Sequence, residues 1–367
     1  MERVVAPPYD VIGPELHQRL EQSDPYNVVR LILTRQGPDD DEAQAKYTRA
    51  SQLLSQWERD GVLVPTARPA WYPYEMRFTY QGHPRRVRGV ICQVDLEPWG
   101  GSILPHEATM ASSIADRQAL IRAVRANLSP VYALARGPCE PLAALLDAVA
   151  ADPPDRVATD DEGVEHRMWV LEDGSGITDW LAGEQLLIAD GHHRYSVALA
   201  YQDEMRAQHG PGPWDQMMML IVDAGHEDPP VLPIHRIVVE GQPKPTGSPV
   251  RDLAEVLAVI RDDDLTFGVV QRENGAVVHR VGALRGQPPT VCALHDQILG
   301  ESRVRFLPDA ASAEAAVLRG EAPAAFFLPS TKVDRIRSVI ERGERLPQKS
   351  TYFWPKPRTG MVIRPIR

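Results

Sequence analysis

Leu186-Leu187-Ile188-Ala189-Asp190-Gly191-His192-His193-Arg194-Tyr195 is the stretch on which the reading of this chain turns. Its four leading apolar residues read as a short buried strand, Asp190-Gly191 as a turn, and the residues running to about Gln208 as a helix. A strand that stops at Asp-Gly and restarts as a helix puts the turn at the strand's carboxyl end, where α/β folds place ligands. Gly191 lets the backbone turn tightly and lets a ligand approach the main chain. The amides of His192, His193 and Arg194, with the positive end of the helix dipole, form a receptor for an anion. Arg194 can add a bidentate charge-assisted contact, and Asp190 can cap the helix or hold a magnesium ion that bridges phosphate oxygens. The bland alternative is an ordinary capped turn decorated with surface histidines. Cations directly after the cap weigh against it, because the first helical turn is a poor place for positive charge unless an anion is near. Zinc on Asp190, His192, His193 and His235 is a third reading, weakened because adjacent helical residues project about 100° apart.

Outward from this turn, helices and strands are mixed throughout, and the expected class is α+β (mixed α/β). Glu15 to Gln22 reads as a short helix, and Tyr26 to Leu33 as a strand because β-branched and apolar residues cluster there. Asp39 to Arg59 follows as an amphipathic helix. Trp71 to Tyr80 and Val87 to Leu96 alternate around Gln81-Gly82-His83-Pro84 as a hairpin or two neighbouring strands. Asp116 to Asn127 reads as a helix, Pro138 to Asp155 as a Leu/Ala-rich helix and turn, and Val164 to Leu171, Met217 to Asp223 and Val231 to Val239 as strands. Gly241 to Ser248, rich in Pro and Gly, is the expected boundary between a domain over 1–240 and a smaller α/β module over 249–347. Residues 348–367, Pro-rich with Tyr352, Phe353 and Trp354, read as a tail docking on the body.

The 367 residues suit two domains or one elaborated domain, and 43% hydrophobic with 25% charged residues exclude global disorder. A formal net charge of −10 disfavours nucleic acid as a partner. Cys92, Cys139 and Cys292, odd in number and far apart, suit reduced thiols and a cytoplasmic location. Met1 to Asp10 lacks the apolar core of a secretory signal, and no apolar run approaches the ~20 residues that span a bilayer. Basic residues are Arg with only Lys46, Lys244, Lys332, Lys349 and Lys356 as exceptions, so Arg abundance alone says little about phosphate. Walker A, Gly-x-Ser-x-Gly, Gly-x-Gly-x-x-Gly, Cys-x-x-Cys and His-Glu-x-x-His patterns do not occur.

Two further constellations carry chemistry-bearing residues. In Ile103-Leu104-Pro105-His106-Glu107-Ala108-Thr109, a Glu beside a His on a loop can act as a general base, or the loop is merely solvated and capped by Thr109 or Ser112. In Pro233-Ile234-His235-Arg236, His and Arg can reach a phosphate, or decorate a strand. Asn27, Arg30, Lys349, Ser350 and Lys356 are candidates by composition only.

Taken together, Ala6 to Ile12, Asn27 to Leu31, Pro105 to Thr109, Ile188 to Tyr195, Leu232 to Arg236 and Lys349 to Pro357 resemble, in order, the motifs of the bacterial domain-of-unknown-function family ten-fifteen. That resemblance implies a ParB/sulfiredoxin-like core with an N-terminal elaboration and a smaller C-terminal module. The Asp-Gly-His-x-Arg turn is similar to that of free serine kinases, which phosphorylate L-serine from a nucleotide. The implied activity is a nucleotide-dependent small-molecule kinase using ATP or ADP with Mg²⁺ and acting on serine or a similar hydroxyl compound. In this implied scheme Gly191 to Arg194 hold the donor phosphates, Arg194 and His192 offset charge, Asp190 binds magnesium, and Glu107 takes the hydroxyl proton. His193 and Arg236 join the phosphate contacts, and His106 and His235 orient acceptor or phosphate. A non-catalytic nucleotide-binding switch of the ParB type is the alternative, and an inert scaffold a third; no membrane partner is expected.

Overall fold

Hydrogen-bonded ladders divide the chain between two mixed α/β units in the computed structural model, which describes residues 1–36, 44–107, 111–226, 228–241, 244, 247–273 and 275–367. The first unit comprises Met1–Pro105, Thr109–Pro229 and Pro355–Arg367, and the second His106–Ala108 and Pro230–Trp354. Ala108, Thr109, the side chain of Ser112 and the head of the helix expected from Asp39 lie outside the described residues.

The first unit is built on an eight-stranded sheet. Its order is Ile103–Leu104, Leu186–Asp190, Val131–Ala135, Gln216–Asp223, His83–Asp95, Tyr72–Tyr80, Glu165–Met168 and Arg156–Thr159. The hairpin read around Gln81-Gly82 forms, and both turn residues take positive φ, the geometry that matches strand twist. Val131–Ala135 and Leu186–Asp190 are buried along their whole length, which is why they read as continuous apolar runs rather than alternating ones. Tyr195 and Ala198 of the helix His192–His209 pack with Ile188, Met219 and Ile221 in the core of this sheet.

Tyr26 to Leu33 is not a strand. Val29–Ile32 forms one helical turn, with Val28, Val29, Leu31 and Ile32 buried against Leu54, Trp57, Leu120 and Val124. The β-branched cluster is satisfied by burial among helices, and packing overrides local preference. Asn27, fully buried, starts the turn: its Oδ1 accepts from the Val29 amide at 2.9 Å, and its Nδ2 donates to the carbonyls of Arg3 at 2.8 Å and Val5 at 3.2 Å.

The C-terminal stretch runs along this unit. Thr359 and Ala6 exchange backbone hydrogen bonds of 2.8 and 3.1 Å, Arg358 pairs with Asp160 at 2.9 Å, and Arg364 donates to Asn127 Oδ1 at 3.2 Å.

The second unit carries a six-stranded antiparallel sheet in the order Ser248–Val250, Ala276–Ala283, Thr266–Glu273, Ala324–Phe327, His235–Glu240 and Arg303–Leu307. Val256 and Val317, from the helices Leu253–Val259 and Ala310–Leu318, bury against Ile237, Val270 and Phe327. The stretch Gly241 to Ser248 therefore joins strands of a single sheet, its residues 242, 243, 245 and 246 lying outside the described ones, and the chain changes unit at Pro229-Pro230. Val231–Leu232 pairs with Tyr352–Phe353. Among the described residues no helix is long and apolar enough to cross a membrane.

Because Asn27 satisfies three buried backbone groups, Asn27→Ala is expected to destabilise the first unit by about 2–4 kcal/mol in denaturant unfolding. A loss below about 0.5 kcal/mol would contradict its role as the organiser of the 3–5 and 29–32 segments.

Candidate functional site

Asp190 closes a buried strand that pairs antiparallel with Val131–Ala135 and parallel only with the short Ile103–Leu104. The placement rule for parallel sheets thus has little to act on here, and the chemistry resides in the turn itself. Gly191 has φ +99°, in the left-handed region. A Cβ at that position would also lie 3.0 Å from Nε and one terminal nitrogen of Arg194, so the missing side chain makes room for the guanidinium. The helix His192–His209 begins directly after Gly191, which as N-cap has no side chain to offer the first-turn amides.

Two cations meet one carboxylate at this turn. Arg194 pairs with Asp190 Oδ2, and Lys356 pairs with Asp190 Oδ1. Arg194 also donates to Ser129 Oγ at 2.9 Å and to the Pro130 carbonyl. Its Nε is buried and meets no acceptor among the described residues. Side-chain exposures of 9–11% for all three groups mean that these charges are only weakly screened by water. Arg194 lines a cavity of about 60 Å³ together with Tyr9, Arg117, Asn127, Ser129 and Val197. Arg117 lies 4.3 Å over the Tyr9 ring and donates to Asp116 at 2.9 Å. Lys46 and Tyr47 bind the same Asp116 carboxylate at 2.8 Å each, and with Arg117 they outweigh its partial burial and hold its pKa well below the usual carboxylate range.

The other residues expected in the site divide between the units. His192 is buried and stacks on Trp99 at 6.3 Å and 22°, and His193 beside it is half-buried. Glu107, His106, His235 and Arg236 belong to the second unit. There Glu107 accepts from the amides of Lys349, Ser350 and Thr351 at 3.1, 2.9 and 3.0 Å and from the Thr351 hydroxyl at 2.9 Å. These donors occupy lone pairs that a general base would need, and the carboxylate anchors the Lys349–Thr351 segment. With that hydroxyl donating to Glu107, the Thr351 oxygen accepts from His106 Nε2 at 2.7 Å. Arg236 has no exposed surface; it donates to the carbonyls of Ile234, Lys349 and Gln348 and to His295 Nε2, so it fastens the interior instead of reaching a ligand.

Magnesium does not fit Asp190 as it stands, since each carboxylate oxygen already carries a cation. Among the described residues no group of three or more His, Cys, Asp or Glu is placed to hold a metal, which removes the zinc set as well.

Residues 1–297 match the family model described as a protein of unknown function (DUF1015). The chain belongs to the DUF1015 family. No curated protein matches it. Among solved structures it is similar to a free serine kinase in complex with AMP, at 13% identity and TM-score 0.40, over 71% of this chain and 86% of that one. It is similar also to a conserved hypothetical protein from Pyrococcus furiosus, at 14% identity and TM-score 0.39, over 72% and 93% of the two chains. C-terminally truncated SbnI from Staphylococcus aureus matches at 11% identity and TM-score 0.40, over 73% and 85%.

No motif marks Ser129 and Lys356, which bind the Asp190–Arg194 turn of this DUF1015 chain, or Arg117, which shares the cavity with Arg194. Lys356 lies 166 positions from its partner Asp190, and no local signal connects them.

The second unit carries an acid sensitivity of its own. The Leu328 amide donates to His235 Nδ1 at 3.3 Å and Arg236 Nε donates to His295 Nε2 at 3.1 Å, so both rings present an unprotonated nitrogen. Burial first, and the Arg236 charge second, lower each imidazole from 6.5 to about 4. Stability from these groups is therefore fully present above pH 6.5 and declines as pH falls towards about 4, because the unfolded chain takes up protons the folded one refuses. Melting temperature is expected to fall from neutral pH down to about pH 5, and less steeply in His295→Gln. A flat wild-type profile over that window would contradict neutral, buried imidazoles.

Proposed function

We propose that the Asp190–Arg194 turn binds the phosphate groups of a nucleotide and that the protein is a nucleotide-dependent phosphotransferase acting on a small hydroxyl compound. The observation that supports this reading is the buried Nε of Arg194, a charged-group donor with no acceptor among the described residues, at a helix start whose N-cap is the glycine Gly191. An unmet buried donor costs roughly 1–3 kcal/mol, and a phosphate oxygen in the Arg194 cavity would satisfy it. Arg194 and Lys356 are both oriented by Asp190, and the helix dipole adds roughly half a positive charge at the turn, which favours an anion there.

The residues here bind and orient. Asp190 fixes Arg194 and Lys356 so that neither cation must reorganise when a phosphate arrives. Phosphoryl transfer proceeds through a loose transition state that depends on positioning more than on a strong base, so the engagement of Glu107 elsewhere does not exclude turnover. Serine is the first acceptor to test, being the one the motif resemblance implies. A nucleotide-binding switch without turnover has one observation in its favour, namely that the expected base is engaged by the amides of Lys349, Ser350 and Thr351.

Saturable binding of ATP or ADP is expected, and Arg194→Ala should weaken it at least tenfold, about 1.4 kcal/mol. Incubation with each of ATP, ADP and CTP in the presence of L-serine, followed by phosphorus NMR, separates the alternatives. Phosphoserine supports the phosphotransferase, binding without any phosphoryl product supports the switch, and the absence of nucleotide binding contradicts both.

A further inference from the structure

Residues 349–351 of the second unit wrap around a single carboxylate. Three consecutive amides and one hydroxyl converge on Glu107, three of the four donors on the single oxygen Oε1. Successive amides aimed at one point form a concave anion receptor of the kind that holds phosphate in many loops. Lys349 contributes by taking φ +53°, a left-handed conformation that costs a non-glycine residue roughly 1 kcal/mol and turns the amides inward. Arg236 braces the loop from behind, its guanidinium accepting no exposure and bonding the carbonyls of Lys349 at 2.9 Å and Gln348 at 3.4 Å. Its other partners, the Ile234 carbonyl and His295, are uncharged acceptors, and Glu107 is the acid whose charge acts on it. His106 completes the wall through the Thr351 oxygen.

We propose that the Lys349–Thr351 loop is a binding site for a phosphate-class oxyanion, and that Glu107 is a resident competitor occupying it until such a ligand displaces its carboxylate. In the exchange the oxyanion takes the four donors and the tethered Glu107 carboxylate turns away to water, with Arg236 as the constant counter-charge. A planar carboxylate crowds three donors onto one oxygen, whereas a tetrahedral phosphate offers three oxygens over which the same donors spread. The site involves different residues from the Asp190–Arg194 turn and stands or falls separately from it.

The test is an amide NMR titration of the full chain with inorganic phosphate, read at Ser350 and Thr351. In wild type these two amides are expected to shift saturably but weakly. Glu107→Ala, which removes the competitor, is expected to bind phosphate at least about tenfold more tightly. Glu107→Gln, which keeps the volume and removes the charge, serves as the second variant; refolding or thermal stabilisation of either variant by phosphate also supports the site. Ser350 and Thr351 amides that stay unmoved by phosphate in wild type and in both variants overturn it and leave Glu107 as a structural anchor. Sodium acetate binding as tightly as phosphate overturns the assignment of ligand class.

Discussion

The double ion pair of Asp190 is the constraint on which the rest of the first unit's site depends. One carboxylate at the end of a buried strand fixes Arg194 one helical turn later and Lys356 in the C-terminal stretch. Asp190 thereby ties strand end, helix start and tail, and removing it would take from two buried cations the carboxylate they share, a far larger penalty than the loss of a surface ion pair. Gly191 makes the arrangement possible by combining a left-handed backbone with space for the guanidinium. The outcome is a helix start whose positive character is set before any ligand arrives, which is what preorganised anion recognition requires.

The second unit handles charge in the opposite sense. There the donors converge and a carboxylate of the chain fills them, while Arg236 lies buried among carbonyls and a neutral imidazole. Burial lowers even the Arg236 guanidinium, to about 10, which leaves it charged at neutral pH and makes the second unit's interior positive wherever Glu107 is drawn away. Both units thus concentrate hydrogen-bond donors around one acidic group, cations at Asp190 and backbone amides at Glu107.

Local signals in the sequence carried the elements near the turn. The apolar run before Asp190, the Asp-Gly break and the hairpin at Gln81-Gly82 are short-range features, and each is formed as its residues suggest. Tyr26 to Leu33 failed because its β-branched residues answer to helices more than 20 positions away, and Asn27 reads as a polar residue in a strand until its three backbone partners are known. The change of unit falls at the Pro-Pro step 229–230, ahead of the longer Pro/Gly stretch Gly241 to Ser248. His235, Arg236 and Glu107 stood out as motif residues, yet burial and loop contacts determine what they do, and neither is encoded locally. Lys356 shows the limit most clearly, since pairing across 166 positions leaves no trace in spacing.

A crystal structure of the protein grown with saturating ADP tests the central claim most directly. Phosphate oxygens are expected within hydrogen-bond reach of the His192 to Arg194 amides, with one of them accepting from Arg194 Nε. Nucleotide bound away from the Asp190–Arg194 turn, or a turn whose amides are closed off by the chain itself, would contradict it.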